Sequence, residues 1–146
     1  MYKRQIEAVL KLDSATKHAF NGVYSMNKLP ASCKPGAYVI NLDDHDEPGS
    51  HWVAVWKEGP LAEYMDSYGH PPLDIRCINF LGSNCLYNTL SLQQLLSNGC
   101  GFYCVYFLIQ RARGQPANVI LDMLARVDSG FVVKNFIYSR YKPIFN

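Results

Sequence analysis

The sequence predicts an α+β domain, with a small, mostly antiparallel central sheet packed against a buried helix and flanked by N- and C-terminal helices. Three observations predict it. Ala37–Leu42, His51–Trp56 and Leu61–Asp66 are short aromatic and β-branched runs separated by turn residues, the pattern of successive strands. Residues 100 to 113 (CGFYCVYFLIQRAR) are apolar on nearly every face over a length that favours a buried helix. Helical spacing then marks both ends of the chain, as in Ile6, Val9 and Leu10.

The first dozen residues read as an amphipathic helix. Ser14 reads as the cap of a second, short helix ending near Phe20, with Asn21-Gly22 as its stop. Residues 21–36, with Gly22, Pro30, Pro35 and Gly36, read as an irregular connection. An acidic loop, DDHDEPGS, separates the first two strands, and Lys57-Glu58-Gly59-Pro60 supplies the turn between the second and third. Residues 73–97 read as a helix or strand followed by a helix around Leu90–Leu96. Gly114 stops the buried helix, and Asn118–Val127 and Phe131–Tyr141 close the chain as helices. There are no repeats or linkers, so residues 1–146 form one domain.

The 146 residues are 49% hydrophobic and 18% charged, the balance of a folded globular protein. A net charge of +2 is too small to signal nucleic-acid binding by itself. The small basic groups Lys3/Arg4, Arg111/Arg113 and Arg140/Lys142 read as solvated surface. No apolar run is long enough for a membrane span, and the N-terminus lacks a signal-peptide core. An intracellular, monomeric protein with reduced thiols and no membrane partner is therefore expected. Its five cysteines contain no C-x-x-C pair, which weakens zinc-ribbon and redox readings.

Chemistry gathers around the hairpin and the buried helix. If KEGP is the turn, Trp56 faces Leu61, and the same register sets His51 opposite Asp66 on one face. An acid beside a histidine fixes the imidazole tautomer and stabilises its protonated form. Cys100 stands at the start of the buried helix, where unpaired N–H groups and the helix dipole favour thiolate. Gly99 and Gly101 permit close approach of a substrate backbone, and the Cys100 N–H is an oxyanion donor to which the Gln94 side chain can add a second. Together these residues describe a cysteine hydrolase. Cys33, Cys77 and Cys85 read as inert core thiols, Cys104 as core one turn below Cys100, and His18 and His45 as solvated. His70, before two prolines, reads as structural. A cation site of His45 with Asp43, Asp44 and Asp46 is set aside as an ordinary charged loop, so no metal is expected.

The order His51-Trp52, Asp66-Ser67, Gln94, then NGCGFY at 98–103 resembles the clan of adenovirus-type proteases and SUMO/ubiquitin-like protein deconjugases. Within it the chain is more similar to the adenovirus protease (adenain) family. FNGVYSMNKLP, EYMDSYG, CGFYC and the closing FIYSRYKPIF each match a segment of that family, with Asp66 in place of its Glu. The resemblance spans the chain, which is shorter mainly toward its C-terminal part. It implies Cys100 as nucleophile, His51 as base, Asp66 as orienting acid and Gln94, or its neighbour Gln93, as oxyanion donor. It implies Trp52 as a wall of the substrate channel, beside Gly99 and Gly101. Cys104 matches a position where adenovirus proteases bond an activating peptide. The function implied is a cysteine endopeptidase that cuts structural precursor proteins of a small virus or virus-like transposon at Gly-containing sites. That implies a host-nuclear or virion location, no cofactor for the chemistry, and a peptide or DNA as activator. The alternatives are an isopeptidase for SUMO-, NEDD8- or ubiquitin-like proteins and an inactive binding protein of the same fold.

Overall fold

Five strands pair side by side in the order in which the chain makes them. The computed structural model describes residues 1–45, 51–93 and 98–146. The strands are β1 (Phe20–Ser25), β2 (Gly36–Asn41), β3 (Trp52–Glu58), β4 (Leu61–Met65) and β5 (Cys85–Tyr87). The helices are α1 (Lys3–Leu12), α2 (Ile75–Leu81), α3 (Cys100–Ala112), α4 (Ala117–Leu124), α5 (Ser129–Arg140) and the single turn α6 (Lys142–Phe145). The three central strands are antiparallel, as the hairpin pattern predicts, while β1 and β5 each join an edge in parallel. The sheet is therefore mixed, and its parallel strands β1 and β5 come from segments that the sequence leaves irregular or ambiguous.

Alternation along the strands sends side chains to two separate cores. Ala37, Val39, Ala54, Trp56 and Met65 face the layer built on α3, where Phe102, Val105, Leu108 and Ile109 are buried. Tyr38, Ile40, Val53, Val55 and Tyr64 face Cys77, Phe80 and Leu81 of α2. Both faces of β2 are covered, which explains why GAYVIN reads as continuously apolar rather than alternating. The all-round hydrophobicity of α3 has the same cause, since the sheet lies on one side and α1, α4 and α5 pack on others.

Four sequence expectations are corrected. Phe20–Ser25 is a strand paired to β2, and Gly22 (φ +132°) marks a register irregularity rather than the end of a helix. Asp13, not Ser14, organises the turn after α1, because its Oδ2 accepts the N–H groups of Ala15 and Thr16 at 3.0 Å each. The β3–β4 turn is only Gly59-Pro60: Glu58 pairs with Leu61 and Trp56 with Glu63, a register two residues from the predicted one. Gly59 (φ +57°) supplies the left-handed residue that such a tight turn needs. Residues 90–93 are not helical, and the remainder of the helix expected around Leu90–Leu96 lies outside the described residues.

Candidate active site

The acid is fixed first. Asp66 follows β4 directly and opens a turn closed by Gly69 N–H donating to the Asp66 carbonyl at 2.8 Å. Gly69 has φ +77°, and a Cβ there would lie 2.7 Å from the Leu90 carbonyl carbon, so the turn requires glycine. Asn88, just beyond β5, grips the Asp66 backbone from the other side. Its Oδ1 accepts Asp66 N–H at 3.0 Å and its Nδ2 donates to the Asp66 carbonyl at 2.7 Å. The Asp66 side chain is 1% exposed.

His51 precedes the first residue of β3, so it emerges at the same end of the sheet as Asp66. Its Nε2 lies 2.7 Å from Asp66 Oδ1, which also accepts the Tyr68 N–H at 2.8 Å. A carboxylate oxygen only accepts, so this bond assigns the proton to Nε2 and leaves Nδ1 for another partner. The His51–Asp66 contact predicted from the hairpin is therefore present, although the register that predicted it is displaced. Shifting a pairing by two residues keeps every side chain on its own face, and directly opposed residues become diagonal neighbours.

Cys100 is the first residue of α3, and Gly99 before it offers no side chain to cap the helix. Its N-terminal turn thus keeps its N–H groups and dipole available to the thiol. Burial pushes the thiol pKa up, but hydrogen bonds from His51 and the Trp52 backbone N–H, with the His51 charge, bring it below the ordinary thiol value. His51 shows the complementary effect. Burial disfavours its charge, yet the Asp66 hydrogen bond and its interaction with Cys100 raise its pKa to about 9. The two directions describe one coupled pair, in which each group favours the charged form of the other, thiolate beside imidazolium.

The other four thiols move the opposite way. Burial raises Cys33 to about 11 and Cys77 to about 12, and it also raises Cys85. Cys104 is wholly buried and its pKa is raised well above the ordinary value. In that position Cys104 presents no sulfur to a partner unless the core around it opens.

Gly101 is forced by packing. A Cβ there would lie 2.9 Å from Met1 Cβ and 3.5 Å from Trp52 Cδ1. Gly99, at φ −88°, is in a conformation open to any residue. Trp52 is half-buried, and its indole Nε1 donates to the Met1 carbonyl at 3.2 Å. Gln94 lies outside the described residues. The alternative, Gln93, is buried, with Oε1 accepting from Ser67 Oγ and Nε2 donating to the Tyr68 hydroxyl at 3.3 Å. Its carboxamide thus braces the turn that carries Asp66. His45 lies apart from the site, bonded to Asn27, and among the described residues no cluster of His, Cys, Asp or Glu is placed to hold a metal.

Sequence reasoning missed Tyr68 and Asn88. Tyr68 had a visible signal, an aromatic two residues past the candidate acid. Asn88 had none, since only the parallel pairing of β5 to β4 brings it to Asp66. The site joins a thiol held below its ordinary pKa, a protonatable imidazole and a buried carboxylate bonded to it, groups that can support nucleophilic attack followed by proton return.

No protein-family model and no curated protein matches the sequence. Among solved structures, the fold is similar to that in "Crystal Structure of ASFV pS273R protease", with a TM-score of 0.63 and 18% identity. The match covers 92% of this chain and 64% of the protease chain, so this chain spans less than two thirds of that protein's length. At that identity the likeness is one of fold.

Proposed function

We propose that this chain is a cysteine peptidase in which Cys100 is the nucleophile, His51 the general base and acid, and Asp66 the orienting carboxylate. The observation that carries the reading is geometric: His51 Nε2 lies 2.7 Å from the buried Asp66 carboxylate, and the thiol that this histidine brings below its ordinary pKa is Cys100, at the start of α3. The fold shared with a protease supports it.

In this mechanism the Cys100 sulfur attacks the scissile carbonyl carbon, and the carbonyl oxygen takes the negative charge. The Cys100 N–H faces that oxyanion, with the Gln94 side chain as second donor. His51 Nδ1 gives its proton to the leaving amine as the C–N bond breaks, which leaves an acyl-thioester on Cys100. The neutral imidazole then removes a proton from water, which attacks the thioester. Collapse of the second tetrahedral adduct releases the acid and restores the thiolate–imidazolium pair. Asp66 accepts from His51 Nε2 and holds the imidazole in place through the cycle.

In its finer form the reading is an endopeptidase that cuts precursor proteins of a virus-like particle at Gly-containing sites. The crowding of Gly101 by Met1 and Trp52 supports a narrow approach that suits glycine next to the cut. A peptide or DNA activator belongs to this finer reading through sequence resemblance alone.

Iodoacetamide labelling followed by peptide mapping tests the core of the proposal. Cys100 should react selectively at neutral pH, and His51→Ala should abolish that selectivity. Equal labelling of Cys100 and the half-buried Cys33 and Cys85 would sink it. Rapid turnover of a fluorogenic ubiquitin-like conjugate would replace the precursor-processing reading with a deconjugase.

A further inference from the structure

A stretch without regular secondary structure, residues 88–93, is bonded on one side to the turn that carries the acid and on the other to the helix that carries the nucleophile. The parallel β4–β5 register ends at Tyr64 and Tyr87, which leaves Asn88 level with Met65. From there its carboxamide reaches the next peptide, that of Asp66, and makes the two bonds that a neighbouring strand would make. Its Oδ1 accepts the Asp66 N–H at 3.0 Å, and its Nδ2 donates to the Asp66 carbonyl at 2.7 Å. The same Nδ2 donates to the Leu90 carbonyl at 3.2 Å, so the side chain also shapes the loop that bears it. Ser67 holds the other end of the loop. Its carbonyl accepts the N–H groups of Leu92 at 2.7 Å and Gln93 at 3.0 Å.

Leu92 also ties the loop to α3 and α5. Its carbonyl lies 3.0 Å from the hydroxyl of Tyr103, one turn past Cys100, and 3.3 Å from Ser129 Oγ. The two hydroxyls are 2.7 Å apart, so they form one small network on that carbonyl. Asn88, Leu92, Gln93, Tyr103 and Ser129 are all buried, where such bonds are shielded from competing water. A buried loop is uncommon because its backbone polar groups need partners inside the protein. Here the partners come from two parts of the candidate site, the turn that carries Asp66 and the helix that opens with Cys100.

We propose that residues 88–93 are a splint that sets the acid relative to the nucleophile, with Asn88 as the positioning residue for Asp66 and Tyr103 as the splint's anchor on α3. The inference rests on the peptidase reading and adds to it residues that touch no reacting atom. Asn88 acts through the Asp66 backbone, since the carboxylate meets His51 only while that peptide keeps its place. A misplacement of 1 Å at a catalytic group costs up to about 10²-fold in rate, so a neutral carboxamide that holds a backbone still has a large lever. Tyr103 acts one step further away, by fixing the carbonyl of Leu92 while the Leu92 N–H holds the turn.

The test reads the pH profile of Cys100 alkylation by iodoacetamide for Asn88→Ala and Tyr103→Phe, each in the wild-type chain and in Asp66→Asn. In the wild-type chain Asn88→Ala should move the alkaline limb down by about half a unit, because a loosened carboxylate holds the imidazole's proton less firmly. Tyr103→Phe should move it the same way by roughly half as much, since Ser129 still reaches Leu92. With Asp66→Asn in place neither change should move the limb further, because the splint has no carboxylate left to set. A merely structural role would lower the urea midpoint and leave the limb where it is, as Gly114→Ala, in open space beyond the far end of α3, should do. A limb that stays in place in even one of the two variants, or that moves equally with and without the carboxylate, overturns the splint alone. Should Asn88→Ala fail to fold, Tyr103→Phe, which removes only a hydroxyl, decides between these outcomes. Loss of selective reaction at Cys100 in the wild-type chain overturns the peptidase reading and the splint with it.

Discussion

The Tyr68 ring lies against the His51 imidazole, with centroids 4.8 Å apart and planes inclined by 24°. The contact follows from the register of the β3–β4 hairpin. Extended past the strand ends, that register sets His51 opposite Tyr68, with Asp66 one diagonal step away. Tyr68 is thereby joined to the pair twice, through its ring on the imidazole and through its N–H on the carboxylate oxygen that His51 also uses. Its hydroxyl accepts from Gln93, which ties this assembly to the segment leading toward α3.

A ring face beneath an imidazolium favours the charged form by about 0.5–1 kcal/mol. Tyr68→Leu should therefore lower the pKa of His51, and the alkaline limb of Cys100 alkylation against pH should move down by about half a unit. Tyr68→Phe keeps the ring and should leave the limb in place. Equal profiles for the two variants would show that the stack does not set the imidazole's charge.

The pH dependence of the thiol itself has a definite shape. Cys100 lies below the ordinary thiol range and His51 at about 9, so reactivity should rise at a pH below that of an ordinary thiol, hold a plateau and change near pH 9 as the imidazolium is lost. His51 is raised from 6.5, so its contribution to stability is complete below that value and disappears as pH rises through about 9. Asp66→Asn removes the main group that holds the proton. It should contract the plateau and lower peptide cleavage by roughly 10²–10⁴-fold. A profile unchanged by Asp66→Asn would exclude the carboxylate as the orienting group.

Much of this site is legible in the sequence because its parts obey short-range rules. HWVAVW and LAEYMD are recognisable strands, and adjacent antiparallel strands must bring one end of each together. The apolar run from Cys100 sets a helix start beside them. The exact turn is not legible, since KEGP and GP both make acceptable hairpins, yet the error is even and the faces survive it. β1 and β5 are lost for a different reason. Each is a short edge strand whose pairing is parallel and therefore depends on a distant segment, so no local turn announces it. Asn88 goes unseen with β5.

Gly69 should be the least tolerant glycine near the site. Its φ of +77° already penalises any side chain, by about 1–2 kcal/mol. A methyl group would also press on the backbone of Leu90 and Ser91, which has little freedom to retreat. Gly69→Ala should lower the urea midpoint and slow Cys100 alkylation together, because the same turn carries Asp66. Gly114→Ala is a matched control: it shares a positive φ, +92°, and has open space around its missing Cβ. It should lose some stability and keep the alkylation rate. If both variants slow the thiol equally, the turn at Gly69 has no special hold on the acid.

Cys104 and Cys100 occupy successive turns of α3, yet they should behave as different kinds of residue. Cys104 is enclosed by the core, so Cys104→Ala loses only a small buried group and should preserve peptide cleavage. Cys104→Ser places a hydroxyl in that apolar setting and should cost about 1–3 kcal/mol, read as a lower urea midpoint at unchanged slope. Cys100→Ser should show the reverse, with a small change in the midpoint and loss of cleavage, because a hydroxyl held by the same histidine is a far weaker nucleophile than a thiolate. Mass mapping after brief iodoacetamide treatment should find carbamidomethyl on Cys100 and none on Cys104 until urea unfolds the chain. Early modification of Cys104 would mean that α3 opens readily and that the core drawn around it is wrong.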